Sequence, residues 1–353
     1  MILKTISTLF SKLMSRKIYI FTLVFLHLLG FSIFGTIYTD NVKTSGYILI
    51  PHNSSFNDVN TSIAPYLKSE KTFKWVSQLK RYRTRIKSGR YFIEKGMSNN
   101  ELINKLRSGN QKPITILFNN ENSLELLAGN ISKQIEADSI SLLNVMLDSV
   151  FLNQNKLTID DALGIYIPNS YQFYWNTSAE KFRDKMLDEF KKFWLKNDRF
   201  QKADSLNLSP LQVYALASIV QKETAKVDER PVVAGLYLNR LKKGWPLQAD
   251  PTIIFAIQKM YNKDTIIKRV LNKDLLIKSP YNTYLNKGLP PGPIAMPDVS
   301  SIDAVLNPDN HRYFFMCAST TKMGYHEFAK NTFQHAINAS KYQRWISKQG
   351  IRR

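Results

Sequence analysis

Glu223 is the residue whose surroundings best suit chemistry. In the segment from Ser209 to Ile257, Ser209 and Pro210 form an N-cap and first-turn pair, and the apolar positions Val213, Leu216, Ile219 and Val220 then recur at helical spacing. Glu223 continues that stripe, four residues beyond Ile219 and three beyond Val220, so its side chain points where the apolar ones point. A carboxylate pressed against apolar surface is costly to ionise. Its pKa rises and it holds a proton towards neutral pH, which is what a general acid needs. The competing reading is a Glu near a helix end that reaches water or pairs with a Lys.

Other chemistries find less support. His326 and His335 are the only plausible metal pair, with neither an HExxH pattern nor a Cys/His cluster around them, so hydrogen bonding that shapes a cleft is expected of them and no metal is. Ser218 lies in a helix without a nucleophile elbow. Cys317 sits in a strand-like apolar run with no neighbouring His. As the only cysteine it forms no intrachain disulfide, and cysteine usage does not identify the compartment. No phosphate-binding glycine loop is present, and no cofactor is expected.

Several elements must hold Glu223 in place. A second helix, Pro231 to Leu241, ends in Asn239-Arg240 and a Lys-Lys-Gly stop. Gln248-Ala249-Asp250-Pro251-Thr252 opens a third, with Asp250 as N-cap and Pro251 in the first turn. Ser279–Tyr284 and Gly288–Pro293 form a loop of rigid turn residues. Ser300–Leu306 begins a further helix, and Tyr313–Met316 reads as a buried strand. Upstream, Ser139 to Trp194 is mainly helical, broken at Gly164–Phe173. There Tyr166, Tyr171, Phe173, Tyr174 and Trp175 suit a core, with sugar stacking the alternative.

Three blocks, ASIVQKETAKVDERPVVAGLYLNRLKKGWPLQADPTIIFAI, SPYNTYLNKGLPPGPIA and GYHEFAKNTFQHA, resemble in content and order the endolytic murein transglycosylases, the MltG or YceG-like family. Departures from the family pattern occur at Asn169-Ser170, in place of Asp-Thr, at Phe118–Glu121, in place of Pro-Glu-Gly, and at Met296, in place of Asn. No role requiring a carboxylate is carried at Asn169. The resemblance implies cleavage of the MurNAc-GlcNAc bond within nascent peptidoglycan strands to leave 1,6-anhydro-MurNAc ends, terminating elongation, with membrane-bound peptidoglycan synthases as partners. It also implies Glu223 as the catalytic residue. Tyr281, Asn282 and Tyr284 become candidate substrate contacts, and Asn239, Gln248 and Asp250 are expected to position glycan or shape the Glu223 pocket, with helix capping and loop bracing the alternative for these last three. A hydrolytic muramidase using Asp250 as second carboxylate, or a non-catalytic scaffold, are the rival readings.

The amino-terminal part sets the location. Lys4, Lys12, Arg16 and Lys17 precede Ile18–Tyr38, a run long enough to span a bilayer, so the amino terminus is expected in the cytoplasm and the rest beyond the inner membrane. The net charge of +21 invites a polyanion, yet no nucleic-acid motif accompanies it. Arg81, Arg83 and Arg85 alternate with Tyr82, Thr84 and Ile86, as on a basic edge strand. Strand, turn and helix recur from Tyr47 to Asn110, with a capping box at Ser98–Glu101 and a third unit from Ile114. The expected fold class is α+β: a tail over 1–17, a transmembrane helix over 18–38, a small LysM-like module over 39–112 and a larger, helix-rich catalytic domain over 113–347.

Overall fold

The computed structural model describes residues 2–261, 267 and 269–348, with side chains from Arg16 onward, so the side chains of Lys4 and Lys12 lie outside the described residues. Two compact units form. One comprises the chain up to Ile114 together with Gln172–Asn176, and the other Thr115–Tyr171 and the chain from Thr177 onward.

In the first unit, α1 (Ile2–Tyr38) is continuous, so most of the expected tail is helical. Within it the 23 residues Arg16–Tyr38 are long and apolar enough to cross a membrane. Phe21, Phe25, Leu28 and Phe31 are exposed along this stretch. No linker follows: Ile37 packs against the unit's core, and Asn99 Nδ2 donates to the Thr36 carbonyl at 2.9 Å. Then come β1 (Gly46–Ile50), α2 (Phe56–Ile63), α3 (Glu70–Leu79), β2 (Gly89–Ile93) and α4 (Asn99–Ser108). Strands β1 and β2 pair antiparallel, with Ile48 opposite Tyr91 and Ile50 opposite Gly89. Their inner face, Ile48, Ile50, Tyr91 and Ile93, buries against Val59, Phe73, Val76 and Leu102 of the helices. Ser55 with Asp58 and Ser98 with Glu101 close reciprocal capping boxes.

The basic stretch departs from the edge-strand expectation. Arg81 takes a left-handed φ of 54°, and Tyr82–Thr84 forms a 3₁₀ turn. Tyr82 is fully buried, and anchoring its ring in the core breaks the alternation. Arg90, further along, lies in β2, its guanidinium 3.5 Å from the ring centre of Tyr47.

After the small unit the chain forms β3 (Ile114–Phe118), α5 (Leu124–Ile131), α6 (Ser139–Met146), α7 (Ser149–Gln154) and β4 (Asn169–Phe173), the two strands pairing in a small sheet of which Thr115–Phe118 and Asn169–Tyr171 belong to the second unit. Helices α8 (Ala179–Leu195), α9 (Arg199–Ser205), α10 (Pro210–Glu223), α11 (Arg230–Lys242), α12 (Asp250–Tyr261) and α13 (Val299–Leu306) follow. The hairpin of β5 (Phe315–Ala318) and β6 (His326–Ala329) and then α14 (Thr332–Lys348) complete it. Helix α10 is the centre of this unit. Every residue from Val213 to Val220 is buried, because α9, α11, α12 and α13 pack around it, so over this run the helix is covered on all sides and not along a stripe alone. Ser209 and Gln212 cap it reciprocally. Tyr166, Tyr171 and Phe173 are buried, as the core reading expects, whereas Tyr174 is exposed. The strand expected at Tyr313–Met316 lies two residues later and is half-buried. The molecule is thus mixed α+β and rich in helices, with a candidate membrane helix at its amino-terminal end.

Candidate active site

Helix α10 stops at Glu223, where Thr224 turns to an extended conformation. The glutamate therefore stands just beyond the buried run Val213–Val220, half-buried, with its carboxyl at the negative pole of the helix dipole. Tyr237, from α11 and almost inaccessible, donates its hydroxyl to Glu223 Oε1 at 2.7 Å. Burial pushes the Glu223 pKa up from 4.5 to about 7. The Tyr237 hydrogen bond and the charges of His326 and Arg240 pull against that rise, and Asp250 adds to it. At neutral pH the group is close to half protonated, able to give a proton and to take one back.

The surroundings are tightly bonded. Arg240 lies one helical turn beyond Tyr237 and is buried. It donates through Nε to the Phe314 carbonyl at 2.7 Å and through Nη1 to the Leu247 carbonyl at 2.5 Å. Burial pulls its guanidinium pKa down. Tyr284 donates its hydroxyl to Asp250 Oδ1 at 2.5 Å, and burial, with that bond next, pushes its own pKa up. The buried Glu229 accepts from the backbone N–H of His326 at 2.6 Å and pairs with Nδ1 of the same ring at 3.0 Å. The pair pins β6 to the turn that follows Glu223. This is the hydrogen-bonding use of His326 expected from the sequence. His335 instead stacks on Phe315, with ring centres 5.3 Å apart.

Of the remaining residues singled out from the sequence, Asp250 and Tyr284 lie within electrostatic reach of Glu223. Asp250 is the first residue of α12, and its carboxylate accepts from Tyr284. Gln248 is exposed, with a left-handed φ of 50° and its N–H on the Thr283 carbonyl at 3.0 Å. Three others are directed elsewhere. Asn239 Nδ2 braces the carbonyls of His311 and Tyr313 at 3.0 and 3.1 Å. Asn282, fully buried, donates to the carbonyls of Leu275 and Ile277 at 2.9 and 2.8 Å and accepts from the Tyr284 N–H at 2.9 Å. Tyr281 donates to Asp160 Oδ1 at 3.0 Å. Among the described residues no group of three or more His, Cys, Asp or Glu could hold a metal ion.

Sequence reasoning missed Tyr237, Arg240 and Glu229 as members of this cluster. Tyr237 falls on the same face of α11 as Val233 and Ala234, where helical spacing marks a core residue and gives no sign of an ionisable partner on another helix. Two departures from the family pattern meet in space: Met296 N donates to the Glu121 carbonyl at 2.9 Å, and Asn120 Nδ2 donates to the Met296 carbonyl at 2.9 Å.

Comparison with known proteins agrees with this arrangement of elements. An endolytic murein transglycosylase of Bacillus subtilis is 30% identical over 318 residues, taking in 85% of this chain and 85% of the relative. One from Streptococcus pneumoniae is 27% identical over 331 residues, which is 86% of this chain but 59% of that protein. The crystal structure of a YceG-like protein from Listeria monocytogenes, 25% identical, matches 83% of this chain and 98% of its own with a TM-score of 0.54. The sequence model of the YceG-like family matches residues 48–341, from the first strand of the small unit into the last helix of the large one, and the chain belongs to that family.

Proposed function

We propose that this chain is a lytic transglycosylase of peptidoglycan, acting within nascent strands from a single membrane anchor. The observation that carries the reading is the half-buried Glu223, hydrogen-bonded by Tyr237 and titrating at about 7, in a protein whose relatives are named endolytic murein transglycosylases. Protonated Glu223 gives its proton to the oxygen linking N-acetylmuramic acid to N-acetylglucosamine, and that bond breaks. The resulting carboxylate takes the proton from the muramyl C6 hydroxyl as its oxygen attacks C1, closing a 1,6-anhydro ring. One group thus serves as acid and then base, and no water is consumed. The second carboxylate of ordinary glycosidases is not needed. Asp250, tied to Tyr284, shapes the pocket and holds Glu223 protonated through its charge; Gln248 and Tyr284 offer contacts to the glycan.

The small unit, with its own core of Ile48, Phe73, Tyr91 and Leu102, is the LysM-like module, spanning 39–112, and 113–347 is the catalytic domain. Helix α1 holds both at the outer face of the inner membrane, beside the membrane-bound synthases whose strands it would end. Mass analysis of digested peptidoglycan tests the reading. Anhydro-muramyl ends are expected; reducing ends would make the enzyme a muramidase, and undigested strands would leave a scaffold.

A further inference from the structure

The large unit contains a cleft of about 610 Å³ that none of the chemistry above uses. It carries a solvent-exposed charged cluster: Lys259 Nζ lies 2.6 Å from Asp160 Oδ1, Tyr281 donates to the same oxygen at 3.0 Å, and Nζ stands 4.6 Å from the Tyr281 ring centre. Glu125, in the first turn of α5, adds a second carboxylate. The rim is apolar and open, with Leu126 44% and Ile159 71% exposed. The cleft thus sets exposed aliphatic groups beside an exposed pair of opposite charges.

The cleft is built from the elements that carry Glu223. Helix α12 opens with Asp250 and lines the cleft with Phe255 and Lys259, about 8 to 14 Å further along its axis. The loop Ser279–Tyr284 lines the cleft through Tyr281. Lys222, the neighbour of Glu223, donates to Asn122 Oδ1 on the cleft edge at 2.8 Å.

We propose that this cleft takes the peptide side chain of a murein strand whose scissile bond lies at Glu223; the proposal rests on the strand-cleaving reading above. Such peptides are short and present methyl groups, free carboxylates and a free amine. The aliphatic groups suit the methyls and Glu125 the amine, and the exposed Lys259, by exchanging Asp160 for the ligand, suits a carboxylate. A strand stripped of its peptides offers no amine, and its only free carboxylate is the lactyl group of each muramyl residue.

The test compares strands that keep their peptides with the same strands stripped by an amidase, for the full chain in detergent and for its Lys259→Glu and Ile159→Asp variants. The wild type should favour peptide-bearing strands about tenfold or more in kcat/KM, and each variant should bring that ratio towards one. A ratio taken within each variant is unaffected by loss of folded enzyme. A wild-type ratio near one, or ratios unchanged in both variants, overturns the proposal. Free murein pentapeptide should also bind saturably to Glu223→Gln protein, and about tenfold more weakly when Lys259→Glu is added. Absence of that binding overturns the proposal too. Binding that behaves as expected while products carry no anhydro ends leaves the cleft standing and removes the lytic mechanism.

Discussion

The pKa of Glu223 has consequences for rate and for stability that share one sign. The group must be protonated to act as acid, so kcat/KM should fall as pH rises through about 7. Tyr237→Phe deletes a hydrogen bond that favours the carboxylate, so that falling limb should move to higher pH, which a pH profile of the variant would read. For stability, the folded-state pKa lies above the ordinary 4.5, so the folded protein holds a proton that the unfolded chain releases. That contribution is fully present below 4.5 and is lost as pH rises through about 7, on the order of 3 kcal/mol in all. Glu223→Gln should therefore gain melting temperature relative to wild type on going from pH 5 to pH 8; a constant difference would contradict the assigned burial. Glu223 was legible in the sequence because its neighbours at helical spacing are apolar. Its partners were not, because Tyr237, Arg240 and His326 come from a second helix and a distant hairpin, and pairing between elements leaves no local period.

Caps and turns were the most readable parts of the elements. The Ser98–Glu101 and Ser209–Gln212 boxes close on themselves within four residues, so local sequence suffices to define them. The basic alternation at Arg81–Ile86 misled because Tyr82 found a place in the core, a tertiary gain that outweighs the pattern. The Tyr284 hydroxyl on the Asp250 carboxylate was not readable, because the two are remote in sequence. The proline-rich loop carries its own test. A Cβ on Gly292 would stand 2.0 Å from the Asp160 carbonyl oxygen, so only glycine lets the loop approach. Gly292→Ala should cost about 1–3 kcal/mol by denaturant unfolding, the usual range for overpacking. No loss would mean that the loop can lift away freely.

At the scale of the whole molecule, a helix long and apolar enough to cross a membrane was legible from length and apolarity alone, and the structure adds that it joins the small unit through Ile37 and Thr36 without a spacer. A reporter fused after Asp40 should be active only outside the cytoplasm, because the basic residues precede the span. Cytoplasmic activity would reverse the topology. Deleting 47–110 should slow cleavage of intact strands without abolishing it, since Glu223, Tyr237, Asp250 and Tyr284 all belong to the large unit. Complete loss in a folded variant would mean that the small unit builds part of the active centre. The boundary between the units was blurred in sequence because the strand at Ile114–Phe118 continues the rhythm of the small unit, whereas Thr115–Phe118 belongs to the large one.

The most direct test of the central claim is the rate at which Glu223→Gln protein forms 1,6-anhydro-muramyl ends on nascent strands, measured against wild type by mass spectrometry. Gln keeps the shape and the reach to Tyr237 but carries no proton to give. The rate should fall by about a hundredfold to ten-thousandfold with folding intact. Anhydro ends released by the variant at the wild-type rate would show that Glu223 is not the catalyst.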